Sequence, residues 1–304
     1  MISFKKEITF KVGNITFGRN GGENPIVVFG SMFMMDHKIV SDHKKGIFDK
    51  KQARNEIEHF VDVARNLGLS PVIDVHAQTA EAMVKYIEFV ADVTEYPIII
   101  DGTIPDIRLP AAKLAKEIGI NERTIYDSIS PDTRDEEIQK IREYGIDCIF
   151  VLLLNPANLR PEGRIEIMKK KLLPKIEKWD IKRALLDTIV FDAPSSGMAA
   201  KAIELVKNEF GYPTGNGAPN AMDFIKEWHY PSETYYSVYT SILVLQQLGG
   251  ADWIFAGPAS AADYLLPPIA LIDGVIAYSN KMMGHPVKMS KEHPLFKAMK
   301  YLQS

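Results

Sequence analysis

Three places in this 304-residue chain set an acid behind an apolar run and before a small or hydroxyl residue. They are Asp101-Gly102-Thr103 after Pro97-Ile98-Ile99-Ile100, Asp127-Ser128 after Ile125-Tyr126, and Asp187-Thr188 after Leu185-Leu186. A carboxylate at the edge of a buried segment costs free energy unless a charged, polar or bound group accepts it. Taken singly, each reads equally well as a helix cap or a satisfied structural acid. Asp74 with His76, Asn155, Asn216 and Asn220 follow other apolar runs, and the whole set could saturate the hydrogen-bonding edge of a polar ligand.

Such side chains meet only if the elements that carry them converge. Short apolar runs at 25–31, 71–75, 97–101, 124–128, 148–154, 184–188, 212–215 and 252–256 read as strands buried on both faces. Between them, 49–67, 79–92, 108–118, 133–143, 162–178, 197–210, 220–228 and 234–248 read as helices. Thr79 with Glu81, and Asp132 or Thr133, supply start signals, while Gly68, Gly119, Gly145, Gly211 and Gly249 supply stops. Strand and helix alternate at roughly thirty-residue spacing, which predicts an α/β fold, a closed (β/α)8 TIM barrel spanning 1–304 as one domain. In such a barrel the strand ends share one mouth. Residues 4–18 alternate around Gly13-Asn14 and predict an N-terminal β-hairpin covering the opposite end. The tail after Gly257, with Pro267-Pro268 and the 286–304 stretch, is expected to close the barrel and add a helix for an oligomer interface, so a homodimer is expected.

Composition narrows the function. With 36 Lys and Arg against 39 Asp and Glu, the net charge of -3 offers no basic field for nucleic acid. The single cysteine, Cys148, lies in an apolar strand and excludes disulfide frameworks within the chain, so a reduced, cytoplasmic setting is expected. The start, Met1 to Glu7, has no apolar signal segment, and no run approaches the roughly 18 uninterrupted apolar residues of a membrane helix. Membrane association is therefore expected only through a partner. Asp36, His37 and His43 lie close together, but the next credible ligand is His76, so no metal site is expected. No Gly-x-Gly-x-x-Gly follows the first strand, which argues against dinucleotide binding.

A ligand that wants carboxylates and amides is the 2-amino-4-oxo pyrimidine edge of a pterin, whose exocyclic amine and N3–H can fork onto one carboxylate. The segments Gly30-Ser31-Met32-Phe33, His37-Lys38-Ile39-Val40, Gly46-Ile47-Phe48-Asp49, Tyr86 to Thr94, Asp127-Ser128-Ile129 and Gly215 to Ala221 carry a resemblance. Over about residues 5–260 the chain resembles the H subunit of tetrahydromethanopterin S-methyltransferase, whose bacterial relatives are methylcorrinoid:tetrahydrofolate methyltransferases. The resemblance implies methyl transfer between N5 of a tetrahydropterin and a corrinoid (cobalamin) carried by a separate protein, since the chain has no Asp-x-His-x-x-Gly motif. It implies that Asp101 and Asp127 bind ring nitrogens N1 and N8, that Asp187 takes the 2-amino and N3 donors, and that Asn155 lines the ring face. Asn220, with Asn216 in the same loop, would approach N5, which makes Asn220 and Asp101 the groups nearest the chemistry. Related barrels carry Asn where this chain has Asp127, and an ionised Asp can only accept a hydrogen bond.

Tetrahydrofolate is the expected pterin, with tetrahydromethanopterin in a larger complex as the alternative and a non-catalytic pterin-binding subunit as a further one. Dihydropteroate synthase, on a similar barrel, would need a Lys on strand seven and an Arg-x-His pair after strand eight, where this chain has Tyr212-Pro213-Thr214-Gly215 and Phe255-Ala256-Gly257-Pro258. His37 and Lys38 are expected in a loop near the corrinoid or the pterin tail, and Met32 to Met35 read either as packing or as a soft surface for the partner. Lys169-Lys170-Lys171 reads as a solvated helix face. The aromatics Trp228, His229, Tyr230, Tyr235, Tyr236 and Tyr239 fit an interface or rim packing.

Overall fold

The apolar runs pair edge to edge because each can bury both of its faces between helices and a shared interior. In the computed structural model, which describes residues 4, 6–222 and 231–303, the strands in chain order begin with a hairpin of β1 (Phe10–Val12) and β2 (Ile15–Phe17). Next come β3 (Val27–Met32) and a small antiparallel pair, β4 (Val40–Asp42) with β5 (Ile47–Phe48). Then follow β6 (Ser70–Ala77), β7 (Ile98–Gly102), β8 (Thr124–Ile129), β9 (Cys148–Leu152), β10 (Arg183–Asp187), β11 (Thr214–Asn216) and β12 (Trp253–Pro258). Strands β3 and β6 to β12 close into an eight-stranded parallel barrel, with β12 pairing back onto β3. This is the expected TIM barrel.

The helices are α1 (Lys50–Asn66), α2 (Ala80–Val93), α3 (Pro105–Glu117), α4 (Asp135–Glu143), α5 (Pro161–Ile167), α6 (Leu173–Lys178), α7 (Ser196–Phe210), α8 (Ser232–Leu248), α9 (Ala262–Met282) and α10 (Pro294–Tyr301). A π-helical turn at Met168–Leu172 joins α5 to α6, and its three lysines are exposed as expected. Asp49 starts α1 by accepting from Lys51 N and Gln52 N, and Thr79 starts α2 by accepting from Ala82 N. The helix that follows the last barrel strand is α9, which holds both Pro267 and Pro268 within it, in the tail that was expected to close the barrel and add a helix. By length and composition Ala259–Met282 could cross a membrane, but 61% of its apolar window is buried within the protein, as befits a core helix. The expected helix at 220–228 is a 3-10 turn over Ala218–Met222, and the remainder lies outside the described residues, as do Trp228, His229 and Tyr230.

Side chains alternate across each strand, so every second residue enters the barrel. Ile98 and Ile100 point outward to the helices, whereas Ile99 joins Val72, Ile125, Leu185 and the rings of Phe29, Phe150, Trp253 and Phe255 inside. These four rings pack at centroid distances of 4.9–5.9 Å and plug the lower barrel. Val12, Ile15 and Phe17 of the hairpin join the same cluster from below. The turn at Gly13, φ +53°, lies against Arg123 and Pro97, which precede β8 and β7, so the hairpin seals the N-terminal end as expected.

Candidate active site

One step above the plug, the same alternation lifts Ser31, Asp74, Asp101, Asp127 and Asp187 onto the inner wall. A cavity of about 820 Å³ opens there, lined by Ser31, His76, Asp101, Asp127, Asp187 and Asn220, with Phe255 reaching it from the plug. Met34, Met35 and Asp36 line one side of the lip, and Tyr235, Tyr236 and Tyr239 of α8 line the other. The aromatic residues expected at an interface or rim thus lie, where described, at the rim. A glycine is required at one lip position: Gly257 has φ +101°, and a Cβ there would stand 2.2 Å from the Tyr239 hydroxyl.

Asp74 is hydrogen-bonded to Ser31 and His76, and His76 is in turn ion-paired with Asp101. Ser31 Oγ donates to Asp74 Oδ2 at 2.7 Å, and His76 Nε2 lies 2.6 Å from the same oxygen. The other ring nitrogen, Nδ1, lies 3.2 Å from Asp101 Oδ2, and about a third of each of these two side chains opens to the cavity (34% and 30%). Burial disfavours charge on His76, but Asp74, then Asp101 and Asp127, outweigh it and raise its pKa to about 10. Burial lifts Asp101 to about 6, with His76 and Arg108 holding it down. Burial lifts Asp187 to about 7, against a hydrogen bond from Ile189 N to Oδ1 at 2.7 Å and the charge of Arg164. Asp127 is pushed well above the usual carboxylate range by burial and then by its acidic neighbours Asp101, Asp187 and Asp74. The wall thus favours the charged form of His76 and shifts Asp101, Asp127 and Asp187 toward their protonated forms.

Two buried arginines brace the acidic strand ends from outside. Arg108 of α3 donates to Gly102 O and, at 3.3 Å, to Ser128 O, which fixes the residues that follow Asp101 and Asp127. Its charge is met by Glu137 at 2.8 Å, and Tyr126, under the guanidinium, donates to the same carboxylate at 2.7 Å. Arg164 of α5 likewise donates to Thr188 O at 3.1 Å behind Asp187.

Of the residues expected at the site, Asp101, Asp127, Asp187 and Asn220 share the cavity wall. Asn220 Nδ2 donates to Val190 O at 3.1 Å, which leaves Oδ1 as the acceptor it can offer. Two expectations are corrected. Asn216 closes β11 but points away from the barrel, where Nδ2 donates to Gln246 Oε1 at 2.7 Å and to Thr188 Oγ1 at 3.3 Å. Its neighbour Gly215 takes the inward position, and a Cβ there would stand 2.1 Å from Trp253 O. Asn155 lies beyond the end of β9 and its amide ties that loop to α5, donating to Gly163 O at 3.1 Å and accepting from Ala157 N at 3.2 Å. His37 latches its loop to α1, accepting from Phe33 N at 2.9 Å and facing Glu56 at 2.9 Å.

His76 and Asp74 are the members for which no role was read from the sequence. Their Asp-x-His spacing on a strand held the clue, because it puts both side chains on the inward face. Asp74, His76 and Asp101 also offer one ligand atom each within 4.8 Å of one another, a spacing a metal ion could use. A cationic His76 sets its positive charge between the same two carboxylates.

Fold and site define a TIM-barrel protein whose C-terminal mouth is lined by carboxyls, a histidine and the amides of Gln78 and Asn220. A solved Yersinia pestis DHPS with a pterine-sulfa conjugate shares the fold, with a TM-score of 0.63 at 10% identity, over 88% of this chain and 99% of that one. The family described as tetrahydromethanopterin S-methyltransferase MtrH subunit matches residues 5–288. The H subunit of tetrahydromethanopterin S-methyltransferase from Methanothermobacter thermautotrophicus is 31% identical over 97% of this chain and 98% of its own. The same subunit from Methanopyrus kandleri is 30% identical over 95% and 97%, and that from Methanocaldococcus jannaschii 31% identical over 95% and 99%. The chain belongs to the MtrH subunit family of tetrahydromethanopterin S-methyltransferase, as the early motifs implied, and the family is one of methyltransferase subunits.

Proposed function

We propose that this chain moves a methyl group between N5 of a tetrahydropterin and a corrinoid carried by a partner protein, with the pterin ring seated in the mouth. The observation that carries the reading is the convergence of Asp101, Asp127, Asp187 and Asn220 on one cavity in a chain of this family. The directions of their pKa shifts support this reading. Asp187, with Oδ1 held by Ile189 N, is set to receive the forked 2-amino and N3 donors. Ionised Asp101 accepts from N8–H, and neutral Asp127 donates to N1, which meets the demand that an ionised Asp127 would fail. Asn220 sits where its carbonyl can accept from a protonated N5, the form in which N5 is the better leaving group. When bound, the corrinoid supplies the methyl-accepting or methyl-donating metal. The chain's residues hold the pterin, fix its protonation and leave N5 facing the open lip, the kind of preorganisation that lowers a transfer barrier.

Tetrahydromethanopterin is the pterin of this proposal, ahead of tetrahydrofolate, because it is the one in the names of the methanogen relatives. The expected homodimer belongs to the proposal too: Tyr278, Met282, Phe296 and Met299 of α9 and α10 are exposed and give a second copy an apolar face. The test mixes purified chain with methylcobalamin and each tetrahydropterin. Methyl appearing on N5, faster with tetrahydromethanopterin, is the expected result. Binding with no transfer to either would leave the chain a non-catalytic pterin-binding protein.

A further inference from the structure

The two ring nitrogens of His76 each lie close to a carboxylate oxygen: Nε2 is hydrogen-bonded to Asp74 Oδ2 at 2.6 Å, and Nδ1 is in ion-pair contact with Asp101 Oδ2 at 3.2 Å. A neutral imidazole has one N–H and one lone pair, so it can donate to only one of them, whereas an imidazolium donates to both. Asp74 is wholly buried and further anchored by Ser31 Oγ at 2.7 Å, which makes it a fixed post. Asp101, on the next strand, is opposite His76 in the β6–β7 register. We propose that His76 is the positioning residue for Asp101: as an imidazolium hydrogen-bonded to the buried Ser31–Asp74 pair and ion-paired with Asp101 Oδ2, it holds this carboxylate in place and leaves Asp101 Oδ1 to accept from the pterin. The inference rests on the reading of Asp101 as a pterin ligand.

The need for such a post follows from the surroundings. Asp101 rises from a strand end in a cavity that contains three further acids, and an untethered carboxyl there would pick up a proton and lose its acceptor role. The charged and titratable groups around His76 are Asp74 beneath it on β6, Asp101 on β7 and Asp127 on β8, with Arg108 of α3 behind Asp101. Asp187 on β10 and Asp36 at the lip complete the ring of acids on the cavity wall. Arg108 acts on the backbone at Gly102, from outside the barrel, so its hydrogen bonds do not orient the carboxyl itself.

Two measurements test the proposal. The ring nitrogens of His76 are read by 15N NMR in the protein without pterin at about pH 8, where an ordinary histidine of pKa ~6.5 is neutral. Both nitrogens protonated is expected, and a neutral ring overturns the proposal whether or not any pterin binds. Separately, tetrahydromethanopterin is titrated into the wild type and His76→Gln across neutral pH; glutamine keeps one donor and loses the charge. Affinity at about pH 7 is expected to fall about ten- to a hundredfold, with the pH midpoint for binding moved upward and affinity partly recovered in alkali. Wild-type affinity with an unmoved midpoint overturns it. A wild type that binds no tetrahydropterin sinks the function proposed above and leaves the NMR result to judge His76.

Discussion

At the residue scale, four acids around one cavity cannot all be ionised, and which of them gives way decides what the wall can recognise. Asp127, pressed by burial and by Asp101, Asp187 and Asp74, is pushed well above the usual carboxylate range, toward its protonated form. A neutral carboxyl both donates and accepts, as an amide does, so Asp127→Asn should bind tetrahydropterin within a few-fold of wild type. Asp127→Ala should lose about tenfold or more, the worth of a hydrogen bond whose partner is left unpaired. Equal losses in the two variants, read by calorimetric titration, would show that Asp127 is ionised. Asp187 makes the complementary case. Its folded pKa of about 7 lies above the ordinary value of 3.8, so its contribution to stability is full below about 3.8 and is lost as pH rises through 7. Asp187→Asn should therefore raise the thermal midpoint relative to wild type above neutrality but not at about pH 4. Over the same range it should abolish the rise in wild-type pterin affinity that follows ionisation of Asp187, because an amide cannot accept both forked donors. These acids were legible in the sequence because a carboxylate directly after an apolar run breaks the burial rule. Their protonation was not, because it depends on neighbours far along the chain, such as Asp101 on Asp187 and Asp74 on Asp127.

At the element scale, a strand boundary misplaced by one or two residues is enough to misassign a side chain, since one step turns it to the other face. The strand expected at 212–215 is a short β11 over Thr214–Asn216, so Asn216 continues the outward row and reaches α8 instead of the cavity. The strand expected at 148–154 stops at Leu152, which leaves Asn155 in a loop with polar demands of its own. Helix starts show the same limit: Thr133, expected to cap α4, accepts from Ser130 N at 2.8 Å, and the helix begins at Asp135. Arg108 had no sequence signature, because a lone arginine in an amphipathic helix reads as solvated. Its side chain and that of Glu137 are each only 9% exposed and 2.8 Å apart. Removing one partner of a buried pair leaves the other charge stranded, at a cost of about 3–5 kcal/mol. Arg108→Met should lose stability of that order in urea unfolding. It should also weaken pterin binding, because the ends of β7 and β8 lose their common brace. A variant of near wild-type stability would mean that Glu137 finds water or a proton at little cost.

At the scale of the whole molecule, the barrel divides its labour along its axis. The C-terminal end carries a cavity of about 820 Å³ walled by carboxyls, and the N-terminal end carries the aromatic plug and the hairpin that covers it. The plug has a second effect, since excluding water from the lower barrel is what leaves the acids above it desolvated. Phe17 sits at the far end of this column, wholly buried, with Phe10 at 5.8 Å and Phe29 at 6.3 Å between ring centroids. Phe17→Ala removes a packed ring where backbone from both hairpin strands limits collapse, so about 3–5 kcal/mol of stability should be lost in denaturant unfolding. Pterin affinity, measured well below the unfolding transition, should stay within about twofold, because the rings packed on Phe17, those of Phe10 and Phe29, do not line the cavity. If affinity falls in step with stability, the plug and the mouth are one cooperative unit. The desolvation that sets the charges of Asp101, Asp127 and Asp187 would then be governed from the sealed end of the barrel.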